Sequence, residues 1–559
     1  MTTRWLFPSL WELRRDQVRG DIVAGLTVWA VLVPEALAYA TIAGVSPVVG
    51  LYAAPGALIL YAALGSSRQL VTGPMAATAA LSAATIADLV PTGDSRFAAF
   101  TAGLALATGI AALIAGVLRL GFLASFISQP VLKGFIIGLA LTIIIGQLPK
   151  LFGIEKGSGD FFEQAWHFVT HLGDTQGVTL LVGAGSLGVL VALKRFAPAV
   201  PSSLVVVVLG IVVVEAFDLD VDIVGQIDGG LPSFGLPDIG WHDAGSLAAG
   251  GAGVMLVGFA EGLGAAKNYA ARQHQQIDAN RELLGLGGAN LASALSSGMV
   301  VNGSLSKTAV NASAGARTQL SGLIVAGLTI VTLIALTGLF ESLPEATLAA
   351  VVVAAVVELV DVPSLVALYR TYSARLGREF GVVARPDFIA AVAALLGVTV
   401  FDTLPGLFIG IGVSLLLLVY RASRPYVAVL GRTPDGHYRD VDRHPDAAAP
   451  GGVAVLRIES GLYFANADAV RARILDAATD GVHTVVLDAE TTPFVDVTAA
   501  RMLTAVVDEL ETRGVRLLIA RDVGQFRDVV VAATDDADLA VRYPTIDAAV
   551  ADAPTHGAA

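Results

Sequence analysis

Three charged side chains stand in unusually apolar surroundings. Glu35 lies within the hydrophobic run Val31 to Ala43, Glu261 sits among Gly258, Gly262 and Gly264, and Lys307 closes the segment Asn302-Gly303-Ser304-Leu305-Ser306-Lys307. A carboxylate in such a run costs at least about 3 kcal/mol in lipid, so it faces a cavity, takes a partner or holds a proton. Low dielectric favours the neutral acid, which suits a proton carrier. The alternatives are a protonated Glu35 bonded to a neighbouring carbonyl and a satisfied Glu261 in close helix packing. Lys307 opposes the dipole of any helix that starts beside it. Its place makes sense if an anion sits there, or if Glu261 is its ion partner. Ser304, Ser306 and Thr308 bring hydroxyl donors to the same turn. Tyr39, one turn after Glu35, shares its helix face and walls a cavity or simply packs.

The elements that position these groups are interrupted ones. Thr72-Gly73-Pro74-Met75-Ala76-Ala77 and Asn302-Gly303-Ser304-Leu305 each follow a membrane-length apolar stretch and open another with a glycine-led break, at Gly73 and at Gly303. Interrupted hydrophobic segments at matching places of two halves point to a transporter's substrate site. Two helix N-termini facing one point near mid-membrane attract an anion.

The chain has 559 residues, 55% of them hydrophobic and 15% charged, a balance foreign to a soluble protein of this size. Up to about Arg424 the apolar stretches recur at lengths of roughly 17–25 residues, enough to span a bilayer. Fourteen segments are expected: 21–42, 47–65, 72–90, 97–118, 123–148, 177–194, 201–217, 245–266, 281–297, 303–315, 318–340, 345–360, 386–402 and 404–422. Absence of cysteine excludes disulfides and thiolate chemistry. The net charge of -13 argues against nucleic-acid binding. His167, His171, His242 and His274 fall in expected loops without metal-ligand spacing, so no metal is expected. There is no Walker motif and no hydrolase constellation, so neither ATP-driven nor enzymatic chemistry is expected, nor any cofactor.

Seven plus seven segments make two inverted halves. Pro34-Glu35 is followed about 226 residues later by Ala260-Glu261, and Gly73 about 230 residues later by Gly303, two features at nearly one offset. The basic clusters (Arg14, Arg15 and Arg19; Arg68; Lys194 and Arg195; Lys267 and Arg272; Arg370, Arg375, Arg378 and Arg385; Arg421 and Arg424) all fall on one side, which the positive-inside rule makes cytoplasmic. Both termini are then cytoplasmic, in a multi-pass protein of the cell membrane. Sodium coupling is less favoured than proton coupling, because Ala265, one turn after Glu261, has no oxygen to offer.

Beyond Arg424 the chain turns charged and alternates short strands and helices: strands at 453–458, 484–489 and 516–520, helices at 467–478, 499–511, 526–533 and 546–551. That rhythm predicts a small α/β domain. Asp496 or Thr498 caps its second helix. The expected domains are an N-terminal segment 1–20, a transport domain 21–424 with repeats at about 21–217 and 245–424, a linker 425–450 and an α/β domain 451–559.

Taken together, Gly20-Asp21-Ile22-Val23-Ala24-Gly25-Leu26-Thr27, Val33-Pro34-Glu35-Ala36-Leu37-Ala38-Tyr39-Ala40, Gly50-Leu51-Tyr52, Gly65-Ser66-Ser67-Arg68-Gln69, Gly73-Pro74, Ser304-Leu305-Ser306-Lys307-Thr308 and Gly315-Ala316-Arg317-Thr318-Gln319-Leu320 resemble the SulP family of anion transporters, the sulfate permeases. The tail resembles a STAS domain through Gly461-Leu462-Tyr463-Phe464-Ala465-Asn466-Ala467 and Asp496-Val497-Thr498. The resemblance implies a polytopic α-helical membrane protein of 14 segments in a 7+7 inverted repeat, with core and gate domains, plus a small cytoplasmic STAS-like domain. It implies an elevator-like motion and a homodimer. It places the anion at Tyr39, Met75, Leu305 and Ser306, with Lys307 adjacent; Gly73, Ala76 and Gly303 belong to the same two openings. Glu35 stands where many exchangers of the family have Gln, which favours a proton-coupled member. Thr498 stands where soluble STAS relatives are phosphorylated.

The expected function is secondary active transport of sulfate or a related oxyanion with a proton. Small anions, protons and the lipid bilayer are the partners, and Glu35 and Glu261 the proton carriers. The rivals are a bicarbonate or dicarboxylate carrier or anion exchanger of the same family, a purine- or pyrimidine-type permease, an uncoupled anion channel, and an anion-dependent sensor signalling through the tail.

Overall fold

The computed structural model describes residues 5–11, 13–91, 93–157, 159–198, 200–225, 230–370, 385–401, 403–533 and 543–553. Arg375 and Arg378 of the basic clusters lie outside them. Two compact units are present, Met1–Ser414 and Leu415–Ala559.

The first unit is helical: α1 (Arg15–Ile42), α2 (Pro47–Leu64), α3 (Ala76–Ala87), α4 (Phe97–Val117), α5 (Gln129–Phe152), α6 (Phe161–Thr170), α7 (Gly177–Phe196), α8 (Ser202–Phe217), α9 (Trp241–Arg272), α10 (Ala279–Leu295), α11 (Leu305–Ser313), α12 (Leu320–Ala335), α13 (Glu345–Val357), α14 (Val362–Arg370), α15 (Pro386–Phe401) and α16 (Thr403–Ala422), whose last turns enter the second unit. Eight helical spans are long and apolar enough to cross a membrane, α13 and α14 counting as one. With α3, α8, α10, α11, α12 and α15 they make fourteen segments among the described residues. α6, where a loop was expected, is started by Asp160, whose Oδ1 accepts from the Glu163 backbone N–H at 2.9 Å. It carries His167, and α9 carries His242. The described residues hold no cluster that could bind a metal ion.

The breaks come from local chemistry. Val71–Gly73 (β1) and Asn302–Ser304 (β2) pair antiparallel, Thr72 opposite Gly303 and Gly73 opposite Asn302. Pro74 lacks an N–H, which stops β1 from running on as helix, and α3 starts at Ala76. Ser304 caps α11, its hydroxyl accepting from the Lys307 N–H at 3.3 Å. Side chains of one half tie down the other: Asn311 donates to the Gln69 carbonyl at 2.9 Å, and Gln319 to those of Ser67 and Leu70 at 2.9 and 3.0 Å.

Packing repeats with the halves exchanged. α1 packs on α12 and α11, as α9 packs on α4 and α3; α10 packs on α4, as α2 packs on α12. A second bundle obeys the same rule: α5 packs on α15, as α13 packs on α7. The first bundle (α1–α4, α9–α12) is the core and the second (α5, α7, α8, α13–α16) the gate. An inverted repeat produces this pattern because each half supplies the same elements to a shared pseudo-two-fold.

In the second unit, β3 (Val427–Arg432), β4 (Tyr438–Asp440), β5 (Val453–Ile458), β6 (Thr484–Asp488) and β7 (Arg516–Ala520) form one sheet in the order β4-β3-β5-β6-β7, with β5, β6 and β7 parallel. The apolar faces of α17 (Ala467–Ala477), α18 (Val497–Thr512) and α19 (Gly524–Ala533) share one buried cluster with one face of the sheet. α20 (Ile546–Asp552) covers the other face. The expected linker 425–450 is corrected: it carries β3 and β4, and β3 pairs with β5 from Val427 opposite Ile458 to Leu430 opposite Val455. β4 is a short polar edge strand with no periodicity of its own, and β3, between β4 and β5, is too short an apolar run to be told from a linker until it pairs. Asp496 is the cap of α18, its Oδ1 accepting from the Ala499 N–H at 2.8 Å. Thr498 is exposed in the first turn.

Candidate functional site

The two broken segments meet at one ammonium group. Lys307 leaves the first turn of α11, crosses beneath the opening of α3 and donates from Nζ to the Pro74 carbonyl at 3.0 Å. Its Nζ lies 2.8 Å from Glu35 Oε2 on α1 and 4.9 Å from the centre of the Tyr39 ring. Lys307 is 1% exposed and Glu35 7%, so neither charge is left to water. The contact is ionic rather than directional, because Glu35 Oε2 has no well-aligned hydrogen bond.

α1 brings Glu35 and Tyr39 to this point on one face, one turn apart. α9 comes close to β2 because Gly258 and Gly262 have no side chains: a Cβ on either would lie 3.3 or 3.0 Å from the Asn302 side chain. Asn290 holds the approach to β2, exchanging hydrogen bonds with the Val301 backbone at 2.9 and 3.0 Å. The site therefore rests on rigid elements of both halves.

Glu35, Tyr39, Met75, Ala76, Ser306 and Glu261 line one cavity of about 420 Å³ between core and gate helices. Ser306 Oγ lies 3.2 Å from Ser304 Oγ. Of the other residues singled out from sequence, Gly73 and Gly303 sit in the β1–β2 ladder, not in the cavity wall. Leu305 is about half exposed and does not line it. Lys307 is held behind Glu35. The pairing of Lys307 with Glu261, open from sequence, is not the one found: Glu35 takes that place. Glu261 has an enclosed Oε2 with no hydrogen-bond partner among the described residues.

Sequence reasoning missed the gate side of the cavity. Lys194 and Ser202, with Ser203 and Glu358, line its opposite wall. Lys194 is visible in the sequence as a basic residue at a helix end, and Ser202 as a serine after a proline. Neither signal separates a cavity wall from an ordinary helix boundary.

The arrangement suits a small anion. Two helix N-termini, the hydroxyl of Ser306 and a buried ammonium converge near a cavity open between two bundles.

Comparison with known proteins follows that chemistry. The model of the Sulfate permease family matches residues 18–376, and that of the STAS domain residues 444–551. A probable sulfate transporter of Mycobacterium tuberculosis is 37% identical over 530 residues, 94% of this chain and 92% of the relative. The chloroplastic sulfate transporter 4.1 of Arabidopsis thaliana is 31% identical over 92% of this chain and 76% of its own length. The fold matches murine Slc26a9, an anion transporter solved in an inward-facing state, with a TM-score of 0.87 at 22% identity over 98% of this chain and 94% of that one. The transmembrane domain of a cyanobacterial bicarbonate transporter matches with a TM-score of 0.62 at 24% identity over 70% of this chain and 98% of that one.

Proposed function

The chain belongs to the sulfate permease family, and from that premise we propose that it is a secondary active transporter that carries sulfate or a related oxyanion across the cell membrane together with a proton. The observation that carries this reading is the Glu35–Lys307 pair at the crossing of the two broken segments. While Glu35 is ionised it neutralises Lys307. Once Glu35 takes a proton, the ammonium is left without a counter-charge in a poorly hydrated place, which costs several kcal/mol. An anion at the openings of α3 and α11, near Tyr39, Met75 and Ser306, supplies that counter-charge. Proton and anion therefore favour each other's binding.

Glu261, on the same cavity, is a second proton carrier in this reading. The cavity lies between core and gate, so movement of the core against the gate, elevator-like, would carry the site across. Sulfate is favoured over bicarbonate and dicarboxylates because relatives 37% and 31% identical to this chain are named as sulfate transporters. Both termini face the cytoplasm, the STAS domain with them, and the working unit is a homodimer.

The test is uptake into proteoliposomes across a panel of anions, with and without an imposed pH gradient. Wild-type protein accumulates sulfate when the gradient is applied. Glu35→Gln binds the anion but no longer responds to the gradient. Uptake in that variant which still follows the gradient removes Glu35 from the coupling.

A further inference from the structure

The gate wall of the cavity carries anion-binding chemistry of its own. α8 begins at Ser202, after Pro201, and the backbone N–H groups of its first turn have no partner within the helix. Ser202 and Ser203 line the cavity at that opening. Ser202 is 8% exposed and lines that space. Serine hydroxyls and a helix N-terminus lining one space favour an oxyanion.

Lys194 supplies charge on the same wall. It leaves the last turn of α7, and its Nζ lies 2.7 Å from Glu358 Oε1 and 3.4 Å from the Ala354 carbonyl near the end of α13. The side chains of this pair are 39% and 60% exposed, against 1% and 10% for Lys307 and Glu35. An ion pair so exposed holds weakly, and a competing anion displaces its carboxylate.

We propose that Lys194 and the first turn of α8 form a second anion station on the gate half, where a sulfate-sized oxyanion docks before it reaches the core site. Glu358 is the internal occupant that the anion replaces. The station rests on the reading of the cavity as a transport path, but its residues are separate from those of the core site. Because it stands on the gate, it stays in place when the core moves.

The experiment uses the full chain and inorganic sulfate, with KM and kcat for uptake into proteoliposomes read beside equilibrium binding in detergent. Lys194→Gln raises KM about fivefold with kcat nearly unchanged, the size expected for loss of one partly screened charge. Ser202→Ala raises KM by about twofold without touching either charge. Glu358→Gln moves KM the other way, because it frees Lys194. A merely structural ion pair would make Lys194→Gln and Glu358→Gln act in the same direction, and that result overturns the station. Unchanged KM and unchanged affinity in Lys194→Gln and Ser202→Ala overturn it as well. Sulfate binding that follows these variants in a protein without uptake supports the station and sinks the transport reading. Absence of sulfate binding in the wild-type chain sinks both.

Discussion

Glu35 on α1 and Lys307 on α11, 2.8 Å apart, join the first helix of one repeat to the broken helix of the other. The repeat does not duplicate this pair. Counting from Gly73 and Gly303, Lys307 stands where the first repeat has Ala77. α9 meets α3 as α1 meets α11, yet Glu261 Oε2 finds no hydrogen-bond partner there among the described residues. The two carboxylates that look alike in sequence thus have different electrostatic surroundings, and a site built on a pseudo-two-fold becomes polar.

Removing Lys307 exposes the cost of that asymmetry. Lys307→Met leaves Glu35 ionised and unpaired, or forces a proton onto it, and destabilises the first unit by about 3–5 kcal/mol. Glu35→Gln combined with Lys307→Met recovers most of that loss but not uptake. Thermal unfolding in detergent checks it as a double-mutant cycle. Additive losses would mean that the pair is not coupled.

Glu261→Gln breaks no hydrogen bond to Oε2 among the described residues and keeps the side chain's shape, so its cost in stability stays below about 1 kcal/mol. Its effect falls on coupling instead: fewer protons enter per sulfate. Simultaneous measurement of proton and sulfate flux decides, and an unchanged ratio removes Glu261 from the coupling.

Gly134 lets α5 touch α15 inside the gate. An added Cβ would lie 1.9 Å from the Ala391 carbonyl, a clash that only backbone displacement relieves. Gly134→Ala lowers stability by about 1–3 kcal/mol. Gly412 on α16 has open space, and Gly412→Ala is neutral or stabilising by up to about 1 kcal/mol. The melting temperatures of the two variants should separate accordingly, and equal shifts would contradict the close gate packing.

In the second unit Asp488 is fully buried and faces two guanidinium groups, Arg457 Nε at 2.6 Å and Arg521 Nη2 at 2.6 Å. Asp488→Asn takes the carboxylate away from Arg457, while Arg521 keeps Glu490 at 2.7 Å, and costs about 3 kcal/mol. Limited proteolysis between β5 and β7 reads the loss directly. Cleavage at the wild-type rate would show that this cluster does not hold the sheet.

The sequence by itself determined the membrane spans, the two interruptions and the α/β rhythm of the tail, because each is written in neighbouring residues. Apolar runs of bilayer length, Gly73-Pro74, Asn302-Gly303-Ser304 and the Asp496 cap act over one or two turns. It also flagged Glu35, Glu261 and Lys307, since charge within an apolar run is a local anomaly. Tertiary structure alone decided which carboxylate meets Lys307. That choice depends on how α1 packs against α11 across the two repeats, and no local pattern encodes the distance between residues so far apart in the chain. β3 and β4 were hidden for a related reason: they are held by pairing onto β5, outside the stretch that contains them. Lys194 and Ser202 read as an ordinary helix end and an ordinary helix start until packing set them on one cavity wall. Covalent neighbours fix where a helix starts or breaks, whereas the dielectric and the counter-charge around a side chain belong to whatever folds against it.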